Sequence, residues 1–455
     1  MNKVNRISNG VNPSIFKSYD IRGLYPDQIN KETARLIGRA TAEFLGVTMP
    51  KIVVGRDNRL SSPNIHRGLV SGLVDSGALV TDIGLAPTPL LYWACARYGF
   101  DGGISITASH NPPDYNGLKI VKKGAVPIGG QSGLKKIREL AAKENFGEKK
   151  KGSVKKRNVL PEYIKFNMRE FHKADFPKAS LVIDAANAVS AIFLPPIKKS
   201  LPGKVHFLFA ELDGRFPNHP PNPLIEKNLA ALKREVKKKK ADLGMAFDGD
   251  GDRVIFVDEK GKMVPPDLVT AIVARSILKD NPKQKILYDL RSSNAVKEII
   301  KESGGVPLMG KVGHAFIKAR MRKEDIIFAG EFSGHYYHKK HYFCEAPLFV
   351  LFTLLKEMTR NREPLSQIIG AVSLYSHSGE INFEVKDKDK VLKKLEGKYK
   401  NGKIFRLDGL RIDFKEWWFN ARASQTEPLL RLVVEAKSKK LMEQKKKELS
   451  KLILT

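Results

Sequence analysis

The sequence predicts three similar mixed α/β domains followed by a smaller C-terminal α+β domain. A short β-branched run that ends in Asp occurs three times, at residues 52–57, 181–184 and 286–289, and a helical pattern follows each copy. Each copy also has a second apolar run that ends in a polar loop, at residues 107, 248 and 330. The gaps between the two runs are long enough for a crossover helix, so we expect α/β units whose polar loops lie at the carboxyl ends of the strands.

The chain changes character near Ser373. Alternating Ile381, Phe383 and Val385 predict a strand, residues 432–434 predict another, and residues 437–452 form an amphipathic helical pattern. The Lys-rich stretch 149–157 is expected to be a linker, and the turn 258–261 is expected near the second boundary. The predicted domains therefore span residues 1–152, 153–259, 260–371 and 372–455.

Composition limits the possible class of protein. The 455 residues include 80 Lys and Arg against 49 Asp and Glu, which gives a net charge of +31. Nucleic acid, anionic surfaces and phosphorylated substrates all suit such a balance, although the basic runs lack interleaved aromatic residues. The longest uncharged apolar stretch, 346–355, is too short to span a membrane. No secretory signal is seen at residues 1–10, so we expect a cytoplasmic protein.

Two cysteines, Cys95 and Cys344, lie far apart without metal-ligand spacing, and are expected to be reduced core thiols.

The first polar loop, 107–112, holds Ser109 directly after an apolar strand, with His110 beside it. A serine reacts only when a base or a metal activates it, or when it carries a phosphoryl group that it donates and regains. An ordinary loop serine is the alternative.

The second polar loop, 248–253, gives the strongest signal. Asp248, Asp250 and Asp252 alternate with glycines, so three carboxylates can surround a hard cation such as Mg²⁺ or Ca²⁺. An EF-hand is excluded because Arg253 stands where that loop requires Gly and because strand-like runs flank the motif. A solvated acidic turn is the remaining alternative, and Arg253 is expected to donate to a substrate oxygen.

The third and fourth loops suggest binding groups. Glu331 and Ser333, with His335, suit adjacent sugar hydroxyls, and His314 is either a proton-transfer group or a core histidine. The fourth loop combines a guanidinium with two hydroxyls and an amide, a set that binds phosphate dianions and could close over a substrate. Its members are Arg422, Ser424, Gln425 and Thr426. Polar structural loops are the alternative for both.

Together the loops resemble those of the α-D-phosphohexomutase family, in its phosphomannomutase/phosphoglucomutase branch. Eight motifs match in order, at residues 16–23, 55–62, 107–112, 116–120, 213–223, 248–253, 331–335 and 422–428. The resemblance implies four domains around a central cleft and an isomerase that interconverts hexose 1-phosphate and hexose 6-phosphate. It also implies a phosphoserine, Mg²⁺ and a hexose 1,6-bisphosphate that serves as activator and intermediate.

The resemblance also implies roles for individual residues. Ser109 would carry the phosphoryl group and, with Asp248, Asp250 and Asp252, would hold the metal. Lys119 would transfer protons, with His314 and His335 as supporting candidates, and Arg22 would be a catalytic residue that contacts substrate or phosphoserine. The substrate contacts would be Tyr19, Arg22, Arg253, Glu331, Ser333, Arg422, Ser424, Gln425 and Thr426. The implied partners are phosphosugars, without nucleic acid or membrane, and the chain would be a monomer or homodimer.

Two positions depart from the family pattern. Gln425 stands where Asn is usual, and Ala188 where Gly is common. If residue 188 needs a positive φ, Ala188 either costs about 1 kcal/mol or is accommodated by a changed turn. Two other functions stay open. A phosphoglucosamine mutase usually carries Gln where Phe332 stands, and a basic nucleic-acid-binding protein that keeps the fold would bind in a salt-sensitive manner.

Overall fold

The computed structural model describes residues 11–143, 146–172, 175–176, 178–423 and 429–454. The described residues form two compact units. Unit 1 contains those up to residue 263 together with 335–364, and unit 2 contains residues 264–334 and those from 365 onward.

Unit 1 begins with an α/β domain built on one large sheet. Its strands are Ile21–Leu24 (β1), Lys51–Arg56 (β2), Leu79–Leu85 (β3), Gly102–Ile106 (β4), Tyr115–Lys122 (β5), Val126–Pro127 (β6) and Ser153–Lys156 (β7). Its helices are Lys31–Phe44 (α1), Ser62–Asp75 (α2), Thr88–Arg97 (α3) and Lys135–Lys143 (α4). The strand order is β1-β5-β4-β2-β3-β7, with β6 paired to β5. Strands β4, β2, β3 and β7 are mutually parallel, so their carboxyl ends share one edge.

The predicted linker 149–157 was wrong in part. Residues 153–156 form β7, which pairs in parallel with β3 from Leu79↔Ser153 to Asp82↔Lys156. All four side chains of β7 are exposed. An edge strand held by main-chain hydrogen bonds needs no apolar pattern, and its lysines suit an exposed edge, so the composition did not reveal it.

A second sheet follows in unit 1. Its strands are Ser180–Asp184 (β8), Lys204–Leu208 (β9), Leu243–Phe247 (β10) and Val254–Asp258 (β11), and the helices are Leu160–Met168 (α5), Leu194–Ser200 (α6) and Ala230–Lys239 (α7). The order is β11-β10-β8-β9, with β10 parallel to β8. The turn predicted at 258–261 is present, because the Asp258 carboxylate accepts from the Lys260 and Lys262 amides.

The remainder of unit 1 is a short antiparallel pair and one helix. Tyr336–His338 (β15) pairs with Cys344–Glu345 (β16), and Pro347–Asn361 (α11) follows. The apolar stretch 346–355 is the buried part of this helix. No helix among the described residues is long and apolar enough to cross a membrane. Cys95 and Cys344 are both buried free thiols, as predicted, and burial raises the pKa of Cys95 to about 12.

Unit 2 contains a parallel sheet and an antiparallel sheet. The first group comprises Pro266–Asp280 (α8), Lys285–Asp289 (β12), Asn294–Glu302 (α9), Val306–Gly310 (β13), His314–Glu324 (α10), Phe328–Gly330 (β14) and Leu365–Gly370 (α12). The second comprises Ser376–Glu384 (β17), Lys388–Lys398 (α13), Lys403–Phe405 (β18), Leu410–Asp413 (β19), Trp417–Ala423 (β20), Leu429–Ala436 (β21) and Lys439–Leu454 (α14). Strand β12 pairs in parallel with β13 and β14, and the antiparallel order is β17-β21-β20-β19-β18.

The repeated pattern read from the sequence is confirmed. In each copy the run that ends in Asp lies beside the second apolar run as a parallel neighbour, in the pairs β2–β4, β8–β10 and β12–β14. Each polar loop therefore leaves the same edge of its sheet as the Asp of the first run. Because these strands are almost wholly buried, their near-continuous apolar sequences fit parallel pairing.

Candidate active site

The backbone after β4 fixes the Ser109 hydroxyl. Ser109 has φ +52°, in the left-handed region, and its amide donates to Thr107 Oγ1 over 2.9 Å. The side chain is buried, with 2% of its surface exposed. A non-glycine residue in this conformation persists only where its surroundings hold it, and such strain is common at functional sites.

The Ser109 hydroxyl has two polar neighbours within unit 1. Its Oγ donates to Asp248 Oδ2 over 2.9 Å and lies 3.3 Å from His110 Nδ1. Burial lowers the pKa of His110 well below its ordinary value, and the nearby Arg253 charge lowers it further, so the imidazole is neutral. The serine and the first aspartate, predicted from separate motifs, are thus in contact.

Gly249 explains how the two loops approach so closely. A Cβ at this residue would lie 2.3 Å from the Ser109 carbonyl oxygen, which is closer than real Cβ atoms come. Because that neighbour is main chain, it cannot rotate away. The glycine between the first two aspartates is therefore required by packing against the serine loop.

The three aspartates form one buried cluster. Asp248, Asp250 and Asp252 each present a carboxylate oxygen, and these oxygens lie within 4.8 Å of one another. All three side chains are buried, with exposures of 0%, 1% and 4%. Burial, followed by repulsion from Asp252 and Asp250, raises the pKa of Asp248 to about 8. Such an arrangement of like charges calls for positive charge nearby.

Lys119 supplies one such charge from β5. Its Nζ lies 2.6 Å from Asp250 Oδ2 and 2.5 Å from Asp252 Oδ2. Burial opposes the ammonium form, but Asp250 and Asp252 outweigh it, so the pKa of Lys119 is raised. The pKa of Asp252 falls well below its ordinary value, because Lys119 and His335 outweigh the effect of burial. One ammonium thus faces three carboxylates.

The remaining oxygens fit a hard divalent cation. Asp250 Oδ1 is buried and has no hydrogen-bond partner among the described residues, while Asp250 Oδ2 is held by Lys119 and by Thr88 Oγ1 at 2.5 Å. Buried polar atoms normally have partners, so a lone carboxylate oxygen in an acidic cluster suits a ligand. Three aspartate oxygens are the donors that Mg²⁺ and Ca²⁺ prefer. The three aspartates at the predicted loop could therefore hold a metal ion.

Three further predicted residues surround this cluster in unit 1. His335 Nε2 lies 3.2 Å from Asp252 Oδ1, and Arg253 Nε lies 3.8 Å from Asp248 Oδ2. Arg22 NH1 donates to Asn111 in the serine loop at 2.5 Å, and NH2 pairs with Asp20. Burial opposes the Arg22 charge, but Asp20 outweighs it and raises the pKa of Arg22. Tyr19, also predicted, is half-buried beside Asp20.

Arg59 was missed by the sequence analysis. Its side chain is fully buried, and the guanidinium donates to three main-chain oxygens of the serine loop and to one at the start of β5, at 2.5–3.1 Å. The acceptors are the carbonyls of Ser109, Asn111, Pro112 and Tyr115. Asp57 accepts from Arg59 Nε over 3.1 Å. Its only signal was its place in the 55–62 motif, because nothing local indicated that it reaches residues about 50 positions away.

Unit 2 holds the predicted sugar loop. Glu331 is buried, its Oε1 accepts from the Gly313 amide over 2.7 Å, and Ser333 Oγ donates to Oε2 over 3.3 Å. His314 is the first residue of α10 and directly follows Gly313, whose amide donates to Glu331. The Phe332 ring stacks on His377, with centroids 5.0 Å apart. Glu331 and Ser333 are thus in contact, and the start of α10 is held to Glu331 through the Gly313 amide.

Arg422, in the same unit, lies within a group of arginines around one carboxylate. Arg422 NH2 is 3.2 Å from Glu380 Oε2, Arg291 NH1 is 3.3 Å from the same oxygen, and Arg431 NH1 is 3.1 Å from Oε1. Burial opposes ionisation, but the three guanidinium groups outweigh it and lower the pKa of Glu380. The positive excess suits an anion. Ser424, Gln425 and Thr426 lie outside the described residues, as does the proposed closing loop.

The condition for strain at Ala188, a positive φ, is not met. Ala188 has φ −99° and ψ 175°, an extended conformation that any residue adopts. The left-handed residues of this turn are Ala186 at φ +51° and Asn187 at φ +55°. The Asp184 carboxylate accepts from the Ala186 amide over 2.8 Å and so holds the turn without a glycine at residue 188.

Comparison with known families accounts for four consecutive segments. Models described as phosphoglucomutase/phosphomannomutase match α/β/α domain I at residues 13–148, domain II at 159–261, domain III at 265–375 and the C-terminal domain at 380–452. The chain belongs to the phosphoglucomutase/phosphomannomutase family. Its resemblance to α-D-phosphohexomutases is thereby confirmed, together with its assignment as an isomerase.

Curated members of the family match almost the whole chain. A phosphomannomutase of Vibrio cholerae is 40% identical over 96% of this chain and 98% of its own length. A phosphomannomutase of Methanocaldococcus jannaschii is 39% identical over 96% and 97%, and a phosphomannomutase/phosphoglucomutase of Pseudomonas aeruginosa is 37% identical over 94% and 93%. This similarity extends over all four family segments.

A solved structure of the family agrees in fold. The phosphoglucomutase/phosphomannomutase family protein from Burkholderia thailandensis has a TM-score of 0.88 and 31% identity, with 97% of each chain covered. A more distant phosphomannomutase structure from Thermus thermophilus, at 23% identity, has a TM-score of 0.83 and supports the fold alone. The α/β fold class predicted from the sequence is confirmed.

Proposed function

We propose that this protein interconverts hexose 1-phosphate and hexose 6-phosphate, with mannose and glucose as its sugars, through a phosphoserine at Ser109. The observation that carries the proposal is the contact between the Ser109 hydroxyl and the buried aspartate cluster, at 2.9 Å. The matching relatives, named phosphomannomutase or phosphomannomutase/phosphoglucomutase, supply the sugars.

The reaction would proceed as two balanced transfers. In the first, the free hydroxyl oxygen of the hexose phosphate forms a bond to the phosphorus of phosphoserine 109, the bond from phosphorus to serine oxygen breaks, and the serine oxygen takes up a proton as the sugar hydroxyl loses one. The product is a hexose 1,6-bisphosphate. In the second, the serine oxygen forms a bond to the phosphorus at the other end of the sugar, the bond from that phosphorus to the sugar oxygen breaks, and the sugar oxygen takes up a proton as the serine loses one, which restores the phosphoserine.

The residues of unit 1 suit these steps. Arg59 holds the serine loop through its carbonyls, and Arg22, which donates to Asn111 of that loop, presents a guanidinium for the oxygens of a phosphoryl group. Lys119, charged and within 2.6 Å of Asp250, can neutralise developing charge and hand a proton to the leaving oxygen. Asp248, Asp250 and Asp252 would hold Mg²⁺, which when bound neutralises phosphoryl charge. His335 keeps Asp252 in place.

Unit 2 would supply binding groups. Glu331 and Ser333 suit the sugar hydroxyls, with His314 beside them, and Arg422 suits the phosphate that does not react. The pair Arg291 and Arg431 would keep positive charge near that phosphate. Ser424, Gln425 and Thr426 complete the proposed phosphate loop, and Tyr19 and Arg253 complete the proposed substrate contacts.

The test follows conversion of mannose 1-phosphate and glucose 1-phosphate to their 6-phosphates, with Mg²⁺ and a trace of hexose 1,6-bisphosphate. Ser109→Ala is the active-site variant, and Ser366→Ala on α12 of unit 2 is the matched control. We expect turnover in the wild type and the control and none in Ser109→Ala. Turnover of neither sugar, with turnover of glucosamine 1-phosphate, would replace the proposal by a phosphoglucosamine mutase.

The metal assignment has a separate readout. Calorimetric titration of the metal-free protein with Mg²⁺ is expected to show one site that is lost in Asp250→Asn, while Asp280→Asn, an exposed residue at the end of α8, leaves it intact. Equal Mg²⁺ binding by both variants would contradict the assignment.

A further inference from the structure

A cavity opens on unit 1, at the carboxyl ends of the outer parallel strands of the first sheet. Its volume is about 540 Å³, and its walls come from the end of β2, from β3, from the end of β7 and from α2. Neither Ser109 nor any of the three aspartates lines it. Strand β2 lies between β4, which leads to Ser109, and β3, so the cavity is displaced along the sheet from the catalytic serine.

The wall of this cavity is strongly basic. Arg56, Arg67, Lys156 and Arg157 line it, whereas Asp82 is its one acidic lining residue. The Asp82 carboxylate already accepts from the Gly84 amide over 2.8 Å, and His66 Nε2 lies 3.3 Å away. The single negative charge is therefore engaged within the wall, and the cations outnumber it.

Three of these cations form no salt bridge with a carboxylate in the part of the chain that the structure describes. The Arg56 guanidinium donates to the Asp57 carbonyl over 3.2 Å, and Arg67 donates to the side-chain oxygen of Asn64. Lys156 lies exposed at the end of β7. Arg157, by contrast, pairs with Glu162 at 3.0 Å. Since cations that converge on a concavity repel one another, an anion that binds them relieves this repulsion.

The local backbone builds this cavity. The pairing of β2 with β3 shifts register between Val54 and Arg56, so that Arg56 lies opposite Leu85. Gly84 lies where the register shifts and has φ +70°, a backbone conformation that would be strained in a residue with a side chain. The shift separates the ends of the two strands, and β7 adds its basic residues on the far side of β3. Strand β7, which the sequence analysis predicted as a linker, thus forms one wall of the cavity.

We propose that this cavity is a second anion site, separate from the catalytic serine, for a small ligand that carries two or more phosphate groups. Its volume lies in the range of small-molecule sites. Several guanidinium and ammonium groups that face one space suit clustered phosphate oxygens more than a single carboxylate. No Phe, Tyr or Trp is among the residues that line the cavity to stack a nucleic-acid base, so a compact phosphate ligand fits better than a strand.

The test is calorimetric titration of the full chain with inorganic triphosphate, without added Mg²⁺ and with glucose 6-phosphate at saturation. The double variant Arg67→Gln/Lys156→Gln removes two wall cations. The control Arg234→Gln/Lys239→Gln removes the same two residue types from the exposed face of α7. All four residues are exposed, so we expect both variants to fold, which their thermal unfolding will verify.

We expect one triphosphate site in the wild type, and a weakening of about tenfold or more in the wall variant, because two charge-assisted contacts are lost. The control should stay within about twofold. Hydrogen exchange should show triphosphate protection at residues 82–84 and 156–158 of the wild type. Absence of binding would overturn the proposal, and so would equal binding by the wall variant or equal weakening by the control. Binding of a short DNA duplex without binding of triphosphate would overturn it in favour of a nucleic-acid surface.

Discussion

The first and third α/β repeats contain the same Asp-x-Arg pair at the end of their first strand, but the two arginines bind different partners. Asp57 accepts from the Arg59 amide and Nε, each over 3.1 Å. Asp289 accepts from the Arg291 amide over 2.8 Å and from NH2 over 2.7 Å. The local geometry is therefore shared, since one short motif supplies both members of the pair.

The remaining donors of the two arginines make the difference. Arg59 donates to three carbonyls of the serine loop and to one at the start of β5, whereas Arg291 extends to the Glu380 carboxylate. Burial lowers the pKa of Arg59. Burial also opposes the Arg291 charge, but Asp289 and Glu380 outweigh it and raise the pKa of Arg291. The same motif thus orders a loop in one repeat and joins an ion-pair group in the other.

The second repeat lacks the arginine and shows what replaces it. Ala186 stands two residues after Asp184, and His219 Nε2 lies 3.0 Å from the carboxylate instead. A buried carboxylate at this strand end needs a donor, and a residue distant in sequence supplies it. The position of the aspartate at the strand end is therefore set by local sequence, whereas the donor that pairs with its carboxylate depends on the tertiary structure.

The largest expected effect is that of Arg59→Lys. An ammonium cannot replace a planar guanidinium that serves four carbonyls and a carboxylate, so the serine loop should shift. We expect turnover to fall by about a hundredfold or more, because small displacements of a reacting group cost that much, and the free energy of unfolding to fall by about 3 kcal/mol. Steady-state kinetics and urea unfolding measure the two.

Arg291→Lys is the matched variant in the other repeat and comes second. We expect about 2 kcal/mol of destabilisation of unit 2, from the weakened contacts to Asp289 and Glu380, and a loss of turnover of about tenfold or less. Hydrogen exchange along β12 would report the local loss. If turnover fell as far as in Arg59→Lys, the distinction between loop ordering and ion pairing would fail.

Glu380→Gln comes third. The neutral amide no longer neutralises the charges of Arg291, Arg422 and Arg431. We therefore expect the free energy of unfolding to fall by about 1 to 2 kcal/mol. An added dianion should restore part of it, because phosphate can take the place of the carboxylate. Thermal unfolding with inorganic phosphate, with Glu396→Gln on α13 as the control, checks this. Equal restoration in both variants would count against the assignment of the arginines to phosphate.

His219→Gln has the smallest expected effect, and its sign depends on pH. Burial opposes the imidazolium, but the hydrogen bond to Asp184 outweighs it and raises the pKa of His219 above its ordinary 6.5. The charged pair therefore stabilises the fold below that value and loses its contribution as the pH rises through the raised pKa. We expect the free energy of unfolding of the wild type to exceed that of the variant by about 1 kcal/mol near pH 6 and by less near pH 8.5. Urea unfolding at both values measures it, and a gap that widens with pH would refute the pairing.

Much of the candidate site was predictable because its chemistry lies in short motifs. The residue type and spacing of the three aspartates indicate a cation site. Ser109 follows a short apolar run that is typical of a buried strand, and this run is β4. Arg59, His219 and Glu380 were not predictable, because each is an ordinary polar residue whose partner lies far away in sequence. Strand β7 was missed since main-chain pairing at an edge leaves no side-chain pattern.

Apolar periodicity and local spacing encode strands, turns and ligand types, so the repeated α/β order and the acidic loop were predictable from the chain alone, and the ordered motifs indicated the family. The contact of Ser109 with Asp248, the position of Lys119 between Asp250 and Asp252, and the cavity lined by basic residues of β2, β7 and α2 were visible only in the folded chain. Burial and charge pairing depend on distances through space, which parallel strands set between residues far apart in the chain.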